Sequence, residues 1–236
     1  VETGVEFPDA SSEKAFITYI PDLNILRAAS TPKNDLSMFG DEAKLRGTVT
    51  IRPTGMRGFG LMTFSKSNLI SEDFEFKRYD ILADTSSFRL KNEGSDNEED
   101  ALVFTTDNVK SDVSFKDRLG VFNSNDGDRK VEFPVNQYIA KMDVFKWLMD
   151  DISIEMEKSG AARLDIDVGV DLVGSNFFST HKNQDSLNFR APRATFDGKK
   201  KIIYCSKVEY IDVADARIYP DSMKVIIRKK AKMDEL

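Results

Sequence analysis

Leu164-Asp165-Ile166-Asp167-Val168-Gly169-Val170-Asp171-Leu172 alternates without a break: apolar at every even position, Asp or Gly at every odd one. Successive side chains of a strand point to opposite faces, so the run reads as a strand with one dry face and one wet face. The rhythm recurs in Val109-Lys-Ser-Asp-Val-Ser-Phe115, in Lys130-Val-Glu-Phe133, and in Asp73–Leu82, where Phe74 and Phe76 share a face. It predicts a mainly antiparallel, all-β chain. The architectures that fit are a stacked β-repeat array or an open β groove, with a β-sandwich as the alternative.

Other segments add to this pattern. Phe16–Ile20 is a compact strand ended by Pro21, whereas Leu23–Ala29 fits either strand or helix. Gly58-Phe-Gly60 sits inside a strand pattern and marks close backbone approach. The cluster Asn123–Asp128 contains Asp126-Gly127, which predicts a hairpin. Residues 135–150 fit a helix face through Tyr138, Ile139, Met142, Phe145 and Met149, and a strand through Phe145, Trp147 and Met149; strand is favoured for 143–149. Further strands are expected at 163–173, 187–190, 201–205, 207–218 and 223–229. The acidic stretch Glu93–Asp100 lacks apolar anchors and predicts a mobile loop. A strand and loop segment over 1–46 and a β-rich repeat domain over 47–236 complete the outline.

Composition narrows the function. Hydrophobic residues make up 40% of the 236, and 17 Phe stand against one Trp, which suits a strand-rich core. A net charge of −6 argues against nucleic acid as a partner. Lys199–Lys201 and Arg228–Lys230 read as a charged turn and a charged strand end. No apolar run approaches a transmembrane span. A single cysteine, Cys205, excludes an intrachain disulfide and reads as a small buried hydrophobe. A start without Met and an end in Met233-Asp-Glu-Leu236 read as an excised piece rather than a retained secretory protein.

Four cassettes share one plan, an apolar strand, a charged turn and an apolar strand: Phe74–Leu82, Val113–Phe122, Phe145–Ile154 and Thr195–Tyr204. Their spacing is uneven. Stacked units of this kind bury each rung against its neighbours. The last cassette continues through Val208–Ile227, and Phe133-Pro-Val-Asn-Gln-Tyr138 and Met142-Asp-Val-Phe-Lys-Trp147 precede it. At these residues the chain resembles segments of large uncharacterised envelope-associated β-repeat proteins of Bacteroidota-type bacteria. The cassettes are similar in style to the OstA-type repeat, which stacks into an open, twisted groove able to hold acyl chains. The resemblance implies a piece of a longer extracytoplasmic protein, in the cell envelope or periplasm of a Gram-negative bacterium. It carries over no functional residue.

Candidate chemistry is sparse. Asp150 and Asp151, beside Trp147, are the carboxylates a glycan-active enzyme would use, but adjacent strand residues point apart and a polar turn is the simpler reading. Asp165, Asp167 and Asp171 form a comb with same-face acids about 7 Å apart, too far to share one calcium ion. Asn123–Asp128 misses the EF-hand pattern, and Gly55–Gly60 lacks a phosphate-loop ending. His181 is the sole histidine, so a Ser/His/Asp triad would hang on one loop residue. A Cys205–His181 pair would likewise need that loop beside the core, and zinc has too few ligands. No cofactor, metal site or catalytic residue is expected. Tyr138, Trp147, Tyr204, Tyr210 and Tyr219 are the candidate aromatic strip for a glycan or protein partner, with core packing as the alternative for each.

The leading expectation is a non-catalytic scaffold or binding module whose partners are proteins or neighbouring repeats. The alternative is lipid handling in a groove lined by Phe74, Phe76, Val113, Phe115, Ile166, Val168 and Val170. Glycan chemistry at Asp150 and Asp151 is the third.

Overall fold

The two-residue rhythm becomes structure in strand after strand. In Val144–Leu148, Phe145 and Trp147 are buried while Lys146 between them is exposed. The computed structural model describes residues 6–92, 101–126, 130–158 and 174–234. The Leu164–Leu172 run, the Asp165/Asp167/Asp171 comb, the Glu93–Asp100 stretch, Gly127, Ile166, Val168 and Val170 lie outside the described residues.

The described residues form one open antiparallel sheet that does not close into a barrel, with no α-helix. Four short strands come first: β1 (Ala10–Ser11), β2 (Ala15–Ile20), β3 (Ile25–Ser30) and β4 (Leu36–Met38). Five long strands follow as a meander: β5 (Ala43–Arg52), β6 (Gly55–Phe64), β7 (Ser67–Phe76), β8 (Asp80–Lys91) and β9 (Leu102–Ser114). The rest are short: β10 (Leu119–Ser124), β11 (Lys130–Phe133), β12 (Tyr138–Lys141), β13 (Val144–Leu148), β14 (Ser153–Glu157), β15 (Phe177–Ser179), β16 (Asn188–Phe189), β17 (Arg193–Asp197), β18 (Ile202–Ser206), β19 (Ile211–Val213), β20 (Ala216–Ile218), β21 (Lys224–Ile227) and β22 (Met233–Asp234).

The sheet forks at both ends of the meander. The carboxy-terminal half of β9 pairs with β10, which leads through β13, β14, β17, β18 and β21 to β22. We call this the front leaf. The amino-terminal half of β9 pairs with β11, which leads through β12, β15, β16 and β19 to β20, the back leaf. At the other end, β5 pairs with β3 and then β2 along the front half, and with β4 and then β1 along the back half. Each long strand therefore belongs to both leaves.

The leaves face each other, so the meander is folded over. Phe88 and Phe104 of the back half meet Phe122 and Phe145 of the front at 4.4 and 6.0 Å, and Phe133 meets Phe196 at 5.3 Å. Alternation slips along the crease. In β7 the buried positions run Ser67, Leu69, Ser71 and then Phe74, Phe76; in β8, Ile81, Ala83 and then Ser86, Phe88, Leu90. Each slip turns two polar residues outward together, Glu72-Asp73 and Asp84-Thr85, as a bulge does when it bends a strand. In β5 and β6 the crease is made by Gly47 and Gly60 instead. A Cβ on Gly60, at φ +132°, would lie 2.8 Å from the Gly47 Cα and 2.4 Å from the Arg46 carbonyl oxygen. This is the close approach expected at Gly58-Phe-Gly60.

One register row crosses the whole front leaf: Tyr19, Leu26, Ile51, Met56, Phe76, Ile81, Val113, Gly120, Trp147, Ile154, Phe196, Ile203, Ile227 and Met233. Gly120 is the gap that admits its neighbour, since a Cβ there would meet the Trp147 ring at 3.3 Å.

Beyond β9 the chain alternates back hairpin and front hairpin, giving units β11–β14, β15–β18 and β19–β22 that begin at residues 130, 177 and 211. The four cassettes are the hairpins β7–β8, β9–β10, β13–β14 and β17–β18. The latter three are neighbours in the front leaf. Hairpin turns of both leaves lie at the open side of the fold, opposite the crease.

Two sequence expectations are corrected. β10 and β11 do not form a hairpin; each pairs with a different half of β9, β10 in the front leaf and β11 in the back. Residues 207–218 are not one strand but the β19–β20 hairpin, broken at Ala214, where φ is +49°. The strand favoured over 143–149 is found at Val144–Leu148, and Tyr138–Lys141 is a strand as well. The 46/47 boundary falls inside β5, and Leu36, Met38 and Leu45 share one core with Trp147 and Ile227.

Candidate functional site

The interior between the leaves is the feature a groove reading depends on. Phe74, Phe76, Val113 and Phe115 all point into it and are buried. Among the described residues they pack against the other buried side chains of the core. Phe115 stacks on Phe39 at 4.3 Å and meets Phe64 at 5.3 Å, which plugs the open side with aromatic rings. Trp147 fills the centre, 5.7 Å from Phe64 and 5.0 Å from Phe88. A close-packed interior of this kind is occupied by its own side chains.

Two buried asparagines hold the fold at its opposite margins. Asn136, in the β11–β12 turn of the back leaf, donates from Nδ2 to the carbonyl oxygens of Lys201 (2.9 Å) and Ile227 (3.3 Å) in the front leaf. The Ala231 N–H donates back to the Asn136 carbonyl at 2.9 Å. Asn176 does the same work at the crease. Its Oδ1 accepts from the Ala191 N–H at 2.8 Å, and its Nδ2 donates to the Ala191 carbonyl at 2.9 Å. Its backbone joins Lys141 and Phe189. The sequence reading missed both; the available signal was an Asn just ahead of an aromatic strand, at Asn136–Tyr138 and Asn176-Phe177.

The aromatic candidates separate. Trp147 and Tyr138 are core residues, not part of an exposed strip, because the alternation of β13 and β12 turns both inward. The Tyr138 hydroxyl donates to Gln184 Oε1 at 3.1 Å, and burial pushes its pKa up. Tyr204 projects from the outer face of β18. Tyr210 and Tyr219 flank the β19–β20 hairpin with rings 6.4 Å apart, and the Arg217 guanidinium stacks 3.8 Å over Tyr210 while pairing with Asp212.

Asp150 and Asp151 lie in the β13–β14 turn, with side chains 66% and 77% exposed. Arg118 from the β9–β10 turn pairs with Asp150 at 3.0 Å and also with Glu42. Lys199 from the β17–β18 turn reaches the Asp150 carbonyl at 3.3 Å and the Asp151 carboxylate at 3.9 Å. The two acids thus belong to a rail of ion pairs joining successive hairpin turns. Lys199–Lys201 is the β17–β18 turn itself, and Arg228–Lys230 leads through a 3₁₀ turn towards β22.

Cys205 is buried in β18, and burial pushes its thiol pKa up. His181 lies in the β15–β16 connection, where its Nδ1 accepts from the Asn183 N–H at 3.1 Å. At the crease, Glu72, Asp73 and Asp84 line a surface cleft of about 510 Å³, but Arg57 pairs with Asp73 and Lys110 with Asp84. Among the described residues no group of three His, Cys, Asp or Glu is placed to hold a metal ion. Among the described residues no helix is long and apolar enough to cross a membrane. Comparison of the chain with protein-family models, curated proteins and solved structures finds no match.

Proposed function

We propose that this chain is a β-rich scaffold or binding module, without catalytic chemistry, of a larger protein of the Gram-negative cell envelope. The observation that carries the scaffold reading is the filled interior. Rings from both leaves interlock at 4.4 to 6.0 Å, and the open side is plugged by Phe39 and Phe115. The charged side chains face outward, and the acids at the hairpin turns are held by Arg118 and Lys199. The envelope placement rests on the resemblance of the cassettes to envelope-associated β repeats.

The folded-over sheet is also the shape of an acyl-chain groove, which keeps lipid handling as the second reading. Native mass spectrometry of the purified chain, followed by titration with a fluorescent fatty acid, separates the two. The scaffold reading expects a lipid-free mass and no saturable probe binding. A copurifying lipid at one-to-one stoichiometry, displaced by the probe, would overturn it.

A further inference from the structure

We propose that two copies of this chain join edge to edge through β2, antiparallel and in a register centred on Thr18. Among the described residues β2 has a single neighbour, β3, and its other edge presents N–H and C=O groups with no strand beside them. The other free edges are short: β1 and β22 have two residues each and β20 three, against six in β2. Natural edges of this length are usually guarded by charge, proline or a bulge. β2 carries none of these within its span.

Both of its faces are apolar and open. Phe16, Ile17 and Tyr19 are 65%, 62% and 57% exposed. Ile17 and Tyr19 lie opposite Ala28 and Leu26, so they extend the interior face of the front leaf past the point where the back leaf covers it.

The strand is complementary to itself in one register. In an antiparallel ladder only alternate residues turn their backbone groups to a given neighbour. Two copies of one strand must therefore pair about a single residue. Centred on Thr18, Ile17 faces Tyr19 of the second copy, Phe16 faces its Ile20, and Thr18 faces its Thr18; β-branched–aromatic and Thr–Thr pairs are favourable cross-strand pairs. Just outside the ladder, Lys14 then faces Asp22 of the second copy, twice by symmetry. Among the described residues neither has an ion-pair partner within the chain. Centring on Ile17 would set Lys14 against Ile20. Centring on Tyr19 would set Phe16 against Asp22 and bring in Pro21, which has no N–H. A two-fold contact of this kind closes at the dimer.

Sedimentation velocity over a wide concentration range tests this. A reversible monomer–dimer equilibrium is expected. Ile17→Lys and Tyr19→Lys, both exposed in the monomer, are expected to weaken the dimer at least about tenfold, with circular dichroism and Trp147 fluorescence unchanged. Thr18→Cys under mild oxidation is expected to give a disulfide-linked dimer, while Ile17→Cys is not. A monomer at every concentration, oligomers that grow beyond the dimer, a dimer indifferent to Ile17→Lys, or cross-linking through Ile17→Cys in place of Thr18→Cys would each overturn the proposal.

Discussion

Replacing Asn176 with Ala should unfasten the crease. The side chain is buried and makes a two-way contact with Ala191: the Ala191 N–H donates to Oδ1 at 2.8 Å and the Ala191 carbonyl accepts from Nδ2 at 2.9 Å. A third contact, to the Lys141 carbonyl at 3.4 Å, is weaker. Truncation leaves both backbone groups of Ala191 without these partners. An unsatisfied buried polar group costs about 1–3 kcal/mol, so the loss should be about 2–5 kcal/mol. With a urea slope of about 2–3 kcal/mol per molar for a chain of this size, the midpoint should fall by about 1–2 M. The assay is equilibrium urea unfolding followed by fluorescence of Trp147, the only tryptophan and fully buried. Asn183→Ala, at an exposed asparagine, serves as control and should stay within about 0.5 kcal/mol. A midpoint for Asn176→Ala equal to that of the control would refute the claim that this side chain holds the crossovers.

Gly60→Val should cost more than about 2 kcal/mol, because a Cβ meets backbone at 2.4 and 2.8 Å on top of a φ of +132°. Gly40→Ala, with φ +64° and open space around it, should cost only about 1 kcal/mol; equal losses in urea titrations would remove the crease argument. Cys205 should ignore a thiol reagent at mildly alkaline pH until urea unfolds the chain, since burial raises its pKa and denies access; rapid labelling of the native protein would contradict its core placement. Burial alone would raise the Asp197 carboxyl, but the Lys200 N–H, the Lys200 ammonium and the Lys199 N–H outweigh it and hold its pKa below the usual value. The stabilisation is therefore present above the unfolded carboxylate pKa and is lost as pH falls through the lower folded one. Asp197→Asn should be less stable than the parent at neutral pH, with the gap closing in acid; a gap independent of pH in thermal melts would count against the charge.

The fold class was legible because alternation needs nothing but the chain itself. Val144–Leu148 and Ser153–Glu157 show it plainly, and each keeps one phase from end to end. The fold-over was hidden because β7 and β8 change phase midway at Glu72-Asp73 and Asp84-Thr85. Those pairs look like ordinary polar residues until the two halves of each strand are seen to meet. The Asp126-Gly127 signal misled for a related reason: turn chemistry reports a change of direction but not the sheet the chain enters next. Trp147 and Tyr138 looked like binding aromatics because their strands are short and flanked by charge. Their inward direction depends on the register of β13 and β12 with distant strands. Asn136 and Asn176 act on carbonyl groups contributed by distant segments, from Ala191 to Ile227, and the aromatic strand that follows each does not reveal those partners.

The alternation of back and front hairpins lays the strands of each leaf down in chain order. Each later hairpin pairs with one of its own leaf from the preceding unit, and the first two pair with β9 in the back leaf and β10 in the front. The meander is therefore the part of the sheet from which both leaves extend, and they extend in chain order. A duplication or loss of one whole unit would leave the path of every other strand unchanged, so length can vary in such a chain with no rethreading.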